Sequence, residues 1–311
     1  MRMEMPFADR PLRLGTRASP LAMRQAEMTR DALIAAHGWR SDAVELVPVV
    51  ASGDKILDRA LAEVGGKALW TRELDVWLAE GKIDASVHSM KDVETIRPSE
   101  FVVAAMLPRA DVRDRLVGAD SIDALPQAAR IGTSSPRRTA QLLRLRPDLK
   151  PVLLRGNVGT RLGKIEAGEA DATMLAAAGL DRLGMHDTGV AIADSVMLPA
   201  PSQGAVGIEV LAENAHVRAL ISAINHDHTH RCVEAERELL AELGADCRSP
   251  VAALATIKPD GAMYLRAELL AMDGSQSVAD EGIIGEGITP TTLARRLLDA
   301  APPTVRALFA G

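Results

Sequence analysis

The sequence is poor in aromatic residues: phenylalanine, tryptophan and tyrosine together make up 2% of its 311 residues. Because proteins that bind single-stranded nucleic acid stack bases on aromatic side chains, this scarcity argues against a nucleic-acid partner. The core must instead be built from leucine, valine, isoleucine, alanine and methionine. The net charge of -6 also excludes a globally basic surface, so any anion-binding site has to be local.

Long apolar runs are absent as well. No stretch reaches the roughly 18 apolar residues of a membrane-spanning helix, so we expect no membrane contact. The N-terminal segment 1–17 lacks the apolar core of a signal peptide, which predicts a cytoplasmic protein. Two cysteines, Cys232 and Cys247, are too few for a disulfide framework, and in a reducing compartment both are expected to remain thiols.

Short apolar segments alternate with amphipathic stretches through the first two hundred residues. This alternation predicts α/β domains, in which crossover helices join parallel strands. The segments predicted to form strands of these domains are 12–15, 44–49, 83–87, 101–105, 152–154, 172–175 and 206–210. Beyond residue 225 the pattern becomes that of a small α+β domain. Its predicted elements are helices at 229–243 and 290–300 and strands at 251–257, 263–270 and 276–284.

Several predicted helices begin with a capping signal. A hydroxyl residue followed by proline is typical of the N-cap and first helical positions, and this pair occurs at Ser19, Ser135 and Thr289. Asn157 is predicted to cap a fourth helix, because its side-chain oxygen can accept a bond from an early backbone N–H group.

Arginine, glycine and hydroxyl residues cluster at three of these helix starts, in the segments GTRASP (15–20), GTSSPRR (132–138) and LRGNVGTRLGK (154–164). Backbone N–H groups and the helix dipole favour an anion there, and guanidinium groups add paired donors for carboxylates. The expected donors are Arg17, Ser19, Thr133, Ser134, Ser135, Arg137, Arg138, Arg155 and Arg161. No segment matches a nucleotide-binding glycine loop, so the predicted ligand is a polyanion other than a nucleotide. The alternative is ordinary capped helices with solvated arginines.

The segment VHSMKD (87–92) directly follows a predicted strand. Open α/β sheets bind ligands at the carboxyl ends of their strands, so polar residues in this place are candidates for a site. Lys91 is expected to pair with an anionic ligand, and Asp92 to stabilise a cation that develops during a reaction. The alternative is a surface loop in which Asp92 caps a helix. His88 is interpreted as a core histidine that an alternating strand turns away from Ser89.

Cys247 lies in the short polar segment LGADCRSP between a predicted helix and a predicted strand. A loop cysteine beside Arg248 is more accessible and more readily deprotonated than a core cysteine, and is therefore a candidate nucleophile. A cysteine without a chemical role is the alternative that these residues leave open. Cys232 lies in an apolar-periodic helix and is predicted to belong to the core.

The alternating histidines of the segment NHDHTH (225–230) resemble a transition-metal site. Alternate spacing suits ligands on a strand, whereas this segment is interpreted as a solvated loop in which Thr229 caps the following helix. We therefore predict no metal site.

Taken together, these segments resemble the hydroxymethylbilane synthase (porphobilinogen deaminase) family. The matching segments, in the order found in that family, are VGGKALW (64–70), VHSMKDV (87–93), GTSSPRR (132–138), LRGNVGTRL (154–162), LAAAGLDRLG (175–184), SQGAVGIE (202–209) and the loop of Cys247. Each segment alone is a weak to moderate signal, but their combined spacing is highly specific. The resemblance extends from about residue 12 into the C-terminal domain.

The resemblance implies the fold and its division into domains. The expected class is α/β, with two doubly wound domains like those of type II periplasmic binding proteins, an active cleft between them, and a small α+β C-terminal domain. The implied boundaries are 1–107 and 203–224 for the discontinuous first domain, 108–202 for the second, and 225–311 for the C-terminal domain that carries the cofactor.

The resemblance also implies the activity and the site residues. A monomeric transferase of tetrapyrrole biosynthesis is expected to condense four porphobilinogen molecules on a dipyrromethane cofactor, which a thioether joins to Cys247. The implied catalytic residues are Asp92, Arg17 and Lys91. The implied cofactor-binding residues are Ser19, Lys91, Asp92, Thr133, Ser134, Ser135, Arg137, Arg138, Arg155 and Gly156, beside Cys247 itself. The implied substrate-binding residues are Arg17, Ser89, Arg155, Arg161, Arg182 and Gln203.

The sequence departs from the family pattern around Cys247, where Ala245-Asp246 precede the cysteine and Arg248-Ser249 follow it. Attachment of the cofactor is expected to survive if the sulfur is exposed. Glu94 and Trp70 are further departures, outside the proposed chemistry. Two rival readings remain: a two-lobed anion-binding protein without catalysis, and an acyl-transfer or hydrolytic enzyme with Cys247 as nucleophile.

Overall fold

The computed structural model describes residues 6–7, 9–50, 71–285 and 287–309. The segment VGGKALW (64–70), with Trp70, therefore lies outside the described residues. The chain divides into two units. The described residues of unit 1 are 6–7, 9–50, 71–110 and 205–230, and those of unit 2 are 111–204, 231–285 and 287–309. In the described part of the chain, no helix has the length and apolar character needed to cross a membrane.

The strands in chain order are β1 (Leu12–Arg17), β2 (Val44–Val49), β3 (Ala85–Ser89), β4 (Phe101–Met106), β5 (Asp114–Val117), β6 (Arg130–Thr133), β7 (Lys150–Leu153), β8 (Ala172–Ala176), β9 (Val190–Ala191), β10 (Val206–Leu211), β11 (Val251–Ile257), β12 (Met263–Leu270) and β13 (Ser277–Ile284). The helices are α1 (Pro20–His37), α2 (Arg72–Ala79), α3 (Pro136–Leu145), α4 (Val158–Glu166), α5 (Ala177–Arg182), α6 (Ala215–Ser222), α7 (Asp227–Glu242), α8 (Pro290–Ala300) and α9 (Pro303–Arg306). A 3-10 turn spans Met90–Asp92.

Unit 1 is built on one five-stranded sheet with the order β2-β1-β3-β10-β4. Strand β1 pairs in parallel with β2 and β3, whereas β10 pairs antiparallel with β3 and β4. The return of the chain at β10 into the first sheet was expected from the apolar run at 206–210 and is confirmed. Leu12, Leu14 and Ile208 are fully buried in its core, as expected for strands that helices cover on both faces.

Unit 2 contains a second five-stranded sheet with the same arrangement, in the order β7-β6-β8-β5-β9. Strand β6 pairs in parallel with β7 and β8, and β5 pairs antiparallel with β8 and β9. The unit also contains the antiparallel sheet β11-β12-β13, whose core includes residues of α7 and α8. The prediction of two α/β folds and a small α+β fold is confirmed. The three domain boundaries stay a prediction.

The four capping predictions are confirmed. The side chains of Ser19, Ser135 and Thr289 accept hydrogen bonds from backbone N–H groups of the first helical turn, and Asn157 does so at the start of α4. All four cap residues have an extended backbone, and α1, α3 and α8 have proline as their first residue. A cap of this kind typically contributes about 1 kcal/mol of stability.

The predicted loop at 225–230 is wrong in part. Helix α7 begins at Asp227, two residues before the predicted cap. The ring of His226 accepts a hydrogen bond from the backbone N–H of Thr229 at 3.2 Å and so caps the helix, and His230 Nδ1 lies 2.8 Å from Asn225 Oδ1. Thr229 is buried, and its hydroxyl accepts a bond from the backbone N–H of Arg109. His226 therefore caps this helix, and His230 connects it to Asn225.

Candidate active site

A pocket of unit 1 lies where β1 and β3 end, at the carboxyl edge shared by parallel strands. Four predicted site residues, Arg17, Ser19, Ser89 and Asp92, line this pocket together. The remaining lining residues are Leu21, Ala22, Gln25, Thr71, Val87, His88 and Val93. Lys91 lies beside Asp92 on the same 3-10 turn but is not among the residues that line the pocket, so its catalytic role stays a prediction.

Two glycines allow the close packing that holds this edge together. A Cβ atom on Gly15 would lie 2.3 Å from Ile83 Cδ1, and one on Gly207 would lie 2.2 Å from Met90 Sδ. Met90 is 1% exposed and its backbone N–H donates to Ala205 O at 3.1 Å. Met90 occupies the space beside Gly207 and is bonded to Ala205, and so fixes the turn that carries Asp92.

Gln25 is a pocket residue that sequence reasoning missed. It is 2% exposed on α1, and its side-chain amide lies 2.8 Å (Nε2) and 3.1 Å (Oε1) from Ser89 Oγ. Gln25 occupies a position on the buried face of α1, beside Ala22, Ala26 and Thr29. A side-chain amide on the buried face of a helix is the signal that would have identified it, because buried polar groups need partners.

His88 is buried, as predicted, and its Nε2 atom lies 2.8 Å from Ser86 Oγ and 3.5 Å from Glu209 Oε2. The prediction of a core histidine with satisfied hydrogen bonds is therefore confirmed. His88 contacts Ser86 and Glu209 whereas Ser89 bonds to Gln25 of α1, so the two side chains have different partners, as expected for neighbours on a strand, although both residues line the pocket.

Arg97 forms a network of ion pairs next to the pocket wall. Its Nη2 atom lies 2.6 Å from Asp75 Oδ1 and 2.8 Å from Glu209 Oε2, and its Nη1 atom lies 2.9 Å from Glu94 Oε2. Glu94 in turn accepts a hydrogen bond at 3.0 Å from the hydroxyl of Thr71, a pocket residue. The departure from the family pattern at position 94 therefore contacts the pocket wall.

The pairing of Glu209 and Arg97 outweighs the cost of their burial. Burial by itself raises the pKa of Glu209, but hydrogen bonds from His88 and Arg97 lower it to about 2. Burial by itself lowers the pKa of Arg97, yet its bonds to Glu209 and Asp75 raise it above the usual range. Both members of the pair are therefore charged at neutral pH.

Replacing Arg97 by leucine is expected to lower the free energy of unfolding by about 3–5 kcal/mol, because the carboxylate of Glu209 would stay buried without its cation. Urea denaturation at pH 7 measures this loss. The matched control is Arg24→Leu, which removes the exposed ion pair with Glu27 and should cost about 1 kcal/mol or less. Equal, small losses in both variants would contradict a stabilising role of the buried network.

The same variant should also change the acid dependence of stability. Because the pKa of Glu209 is depressed, its stabilising contribution is complete above the unfolded value of about 4.3 and is lost as the pH falls towards 2. The Arg97→Leu protein has already lost this contribution. Its stability should therefore fall less steeply than that of the unaltered protein between about pH 5 and pH 2.

Unit 2 carries a second group of predicted residues at the start of α3. Thr133 is buried and its hydroxyl accepts a hydrogen bond from the backbone N–H of Ser135 at 3.1 Å, while Ser134 is half-buried. Arg137 and Arg138 are 3% and 5% exposed, and both donate to a carboxylate that sequence reasoning missed, that of Asp114. Their contact with a ligand stays a prediction.

The start of α4 holds the third cluster. Arg155 is buried directly after β7, and Arg161 Nε donates to Gly156 O at 2.9 Å. Gly156 has a φ of +118°, and a Cβ atom there would lie 2.6 Å from Thr160 Cγ2, so the turn requires glycine. Since β6, β7 and β8 are parallel, the turns that follow them lie at one edge of the second sheet.

Arg182 and Gln203 are tied to the chain segment that leads into β10. Arg182 Nη2 donates to Gly204 O at 2.7 Å, and burial lowers the pKa of this arginine to about 10. Gln203 is fully buried, and its Nε2 atom donates to Asp114 Oδ1 and to Val112 O. The expected contacts of both residues with substrate stay predictions.

Cys247 is exposed in a loop held by its own hydrogen bonds, and Cys232 is buried in the core as predicted. Asp246 Oδ1 accepts from the backbone N–H of Arg248 at 2.8 Å, and Asp246 O accepts from that of Ser249 at 3.0 Å. The residues that depart from the family pattern thus shape a turn that leaves the sulfur at the surface. Attachment of a cofactor to Cys247 stays a prediction.

Family models match most of the chain. The model described as "Porphobilinogen deaminase, dipyromethane cofactor binding domain" matches residues 12–219, and the model described as "Porphobilinogen deaminase, C-terminal domain" matches residues 230–298.

Curated relatives agree with these matches. The chain is 60% identical over 312 residues to a porphobilinogen deaminase of Sphingopyxis alaskensis, covering 99% of each chain. It is 48% identical over 305 residues to that of Paracoccus denitrificans, covering 96% of this chain and 97% of the relative. A chloroplastic porphobilinogen deaminase of Oryza sativa subsp. japonica is 45% identical over 269 residues, with 85% of this chain and 75% of the relative covered.

Similar solved structures include the BvgS VFT2 domain of Bordetella pertussis, with a TM-score of 0.40 and 14% identity over 74% of this chain and 91% of that one. A TRAP periplasmic solute binding protein of Desulfovibrio salexigens has a TM-score of 0.40 and 11% identity, over 74% of this chain and 77% of that one. At this level of similarity these structures add nothing about function.

Proposed function

The chain belongs to the porphobilinogen deaminase family, and we propose that Asp92 is the charged group at its reacting centre. The protein is a transferase that condenses four porphobilinogen molecules head to tail on a dipyrromethane cofactor and releases hydroxymethylbilane. The observation that carries the proposal for Asp92 is its place in one pocket with Arg17, Ser19 and Ser89.

The reaction has two steps, and a carboxylate such as that of Asp92 can assist both. In each cycle the C–N bond of the aminomethyl group breaks and ammonia leaves, which gives an azafulvene with positive charge spread over the pyrrole nitrogen. A new C–C bond then forms at that methylene carbon and a proton is lost from the attacking carbon. A carboxylate placed at the pyrrole nitrogen lowers the barriers of both steps, since it stabilises charge that is larger in the transition state than in the substrate.

The other residues of the pocket bind and orient the substrate. Each pyrrole bears an acetate and a propionate, and arginine and hydroxyl groups suit these carboxylates. We assign this binding to Arg17, Ser19 and Ser89, with Arg17 also placed to assist the departing ammonia and Lys91 to pair with a carboxylate. The hydrogen bonds between Gln25 and Ser89 hold the serine hydroxyl in place.

The predicted residues of unit 2 offer positive charge and hydrogen-bond donors to the growing chain, which gains two negative charges in each cycle. We propose that the helix starts of unit 2 bind these carboxylates. The residues at these helix starts are Thr133, Ser134, Ser135, Arg137, Arg138, Arg155, Gly156 and Arg161. Their support is the shared sheet edge at which α3, α4 and α5 begin. Arg182, at the end of α5, and Gln203, in a turn, are proposed to bind substrate.

The exposed sulfur of Cys247 fits the attachment of the dipyrromethane cofactor. The cofactor supplies the nucleophilic α-carbon on which the product chain grows. The bonds of Asp246 to Arg248 and Ser249 hold the loop that presents the sulfur. We also propose a cytoplasmic, monomeric enzyme, because a reducing compartment keeps this thiol available for attachment.

Incubation of the purified protein with porphobilinogen tests the function. We expect one ammonia released for each porphobilinogen consumed, and one hydroxymethylbilane for every four. Intact-mass analysis of the same sample should show two linked pyrrole units beyond the mass of the polypeptide. Binding of porphobilinogen without its consumption, on a polypeptide of unmodified mass, would overturn the assignment and support the anion-binding alternative. Light scattering over a range of protein concentrations tests the monomer.

A further inference from the structure

Asp114 is the first residue of β5, and its side chain is 1% exposed. Each of its two oxygens binds a different guanidinium group: Oδ2 lies 2.8 Å from Arg137 Nη2, and Oδ1 lies 2.7 Å from Arg138 Nη2. Oδ1 also accepts a bond from Gln203 Nε2 at 2.9 Å. One carboxylate therefore sets the orientation of two neighbouring arginines.

The two guanidinium groups are also held at their far edges. Arg137 Nη1 donates to Gln141 Oε1 and to Leu198 O, both at 3.0 Å, and Arg138 Nη1 donates to Met174 O at 2.8 Å. The Nε atoms of both arginines are buried without a hydrogen-bond partner among the described residues. Since buried donors are normally paired, each arginine keeps an unused Nε donor at a defined position.

The charges of this cluster do not balance. Two arginines that are 3% and 5% exposed face the single carboxylate of Asp114. The nearby carboxylate of Glu268 is bonded to Arg144 and to Gln141. Burial lowers the pKa of Arg137, although its attraction to Asp114 acts in the opposite sense. A buried excess of one positive charge is costly unless an anion completes the cluster.

Asp114 itself stays ionised in this setting. Burial alone raises the pKa of its carboxyl group, but Arg137 and Arg138 outweigh burial and hold the pKa well below the usual range. The group is therefore a permanent anion whose two oxygens point at fixed donors, and not a group that titrates during the reaction.

We propose that Asp114 is a positioning residue, which fixes Arg137 and Arg138 so that they receive the carboxylates of the enzyme-bound pyrrole chain. The inference rests on the proposed function. Asp114 touches neither substrate nor cofactor in this role and acts through the two guanidinium groups. Gln203 supports it, because the amide that donates to Asp114 also donates to Val112 O at 2.7 Å and so connects the carboxylate to the backbone.

The test compares Asp114→Asn with Asp84→Asn. Asp84 is a matched buried carboxylate that accepts from two arginines, Arg10 and Arg13, in unit 1 and away from the lining of the pocket. Both variants should melt at a lower temperature than the unaltered protein. Only Asp114→Asn should also bind the cofactor or the substrate more weakly. We expect the fraction of purified molecules that carry the two-pyrrole mass to fall about 100-fold, or the KM for porphobilinogen to rise by a similar factor.

If Asp114→Asn does not fold, Asp114→Glu tests the same inference. It retains the charge and both oxygens but displaces them by one methylene, so it should fold and still load poorly. Normal loading and normal KM in both Asp114 variants, beside a loaded unaltered protein, would show a merely structural ion pair and overturn the inference. An unaltered protein that never acquires the two-pyrrole mass would instead contradict the proposed function.

Discussion

Replacing Asp92 by asparagine is expected to lower the turnover number about 100-fold to 1000-fold, the usual cost of removing one group that stabilises transition-state charge. The variant keeps the size of the side chain and one acceptor oxygen but loses the negative charge at the pyrrole nitrogen. Because the charge matters in the transition state more than in the bound substrate, we expect kcat to fall far more than KM changes. Steady-state rates of porphobilinogen consumption measure both parameters.

The controls for Asp92 separate a missing charge from a disturbed fold. Asp92 lies on a turn anchored by Met90, which is independent of the carboxylate, so the melting temperature of the variant should stay close to that of the unaltered protein. Asp120→Asn, at an exposed position outside the pocket, should leave turnover unchanged. An Asp92→Asn protein with more than about a tenth of the original kcat would contradict a role in charge stabilisation.

The elements that the sequence pattern predicted well are those with strong local signals. The strands at 251–257 and 263–270 and the helix at 290–300 have the predicted bounds, because alternation or a capping pair marks both their type and their start. Strands β5 and β6 were missed. Each is four residues long and begins with a charged residue, Asp114 or Arg130, so neither contains a long apolar run.

The same contrast holds for the candidate site. Arg17 and Ser19 were predicted from one helix start and Asp92 from the segment after another strand, the family resemblance assigned them with Ser89 to one site, and the pocket contains all four. Thr71, by contrast, reaches the pocket from the start of α2, where no side-chain cap marks the helix in the sequence. Its place depends on tertiary packing, which a local pattern does not contain.

The sequence pattern also did not predict that Asp114 is the partner of Arg137 and Arg138. Arg137 and Asp114 are 23 positions apart, and they meet because β5 enters the second sheet antiparallel beside β8. The arginines were predicted as ligand donors from their helix start alone. The structure adds that their orientation depends on a buried carboxylate, which changes the choice of residue to test.

Replacing Cys247 by serine is expected to abolish the two-pyrrole mass and to reduce product formation to the background rate. The hydroxyl group of serine is a much weaker nucleophile than a thiolate at neutral pH. The hydrogen bonds of Asp246 to Arg248 and Ser249 do not involve the sulfur, so the loop and the melting temperature should be preserved. Intact mass and a porphobilinogen assay on the same preparation measure both effects.

Cys232→Ser is the matched control, because Cys232 is 5% exposed in the core of the C-terminal α+β fold. A hydroxyl in that core lowers stability but leaves the loop of Cys247 intact, so this variant should keep the two-pyrrole mass and its activity. The two variants together thus assign attachment to one sulfur. Cys232→Ser should lose stability but keep the cofactor, whereas Cys247→Ser should lose the cofactor but keep its stability. Retained mass in Cys247→Ser together with its loss in Cys232→Ser would place the thioether on the buried cysteine and contradict the role that exposure assigns to the loop.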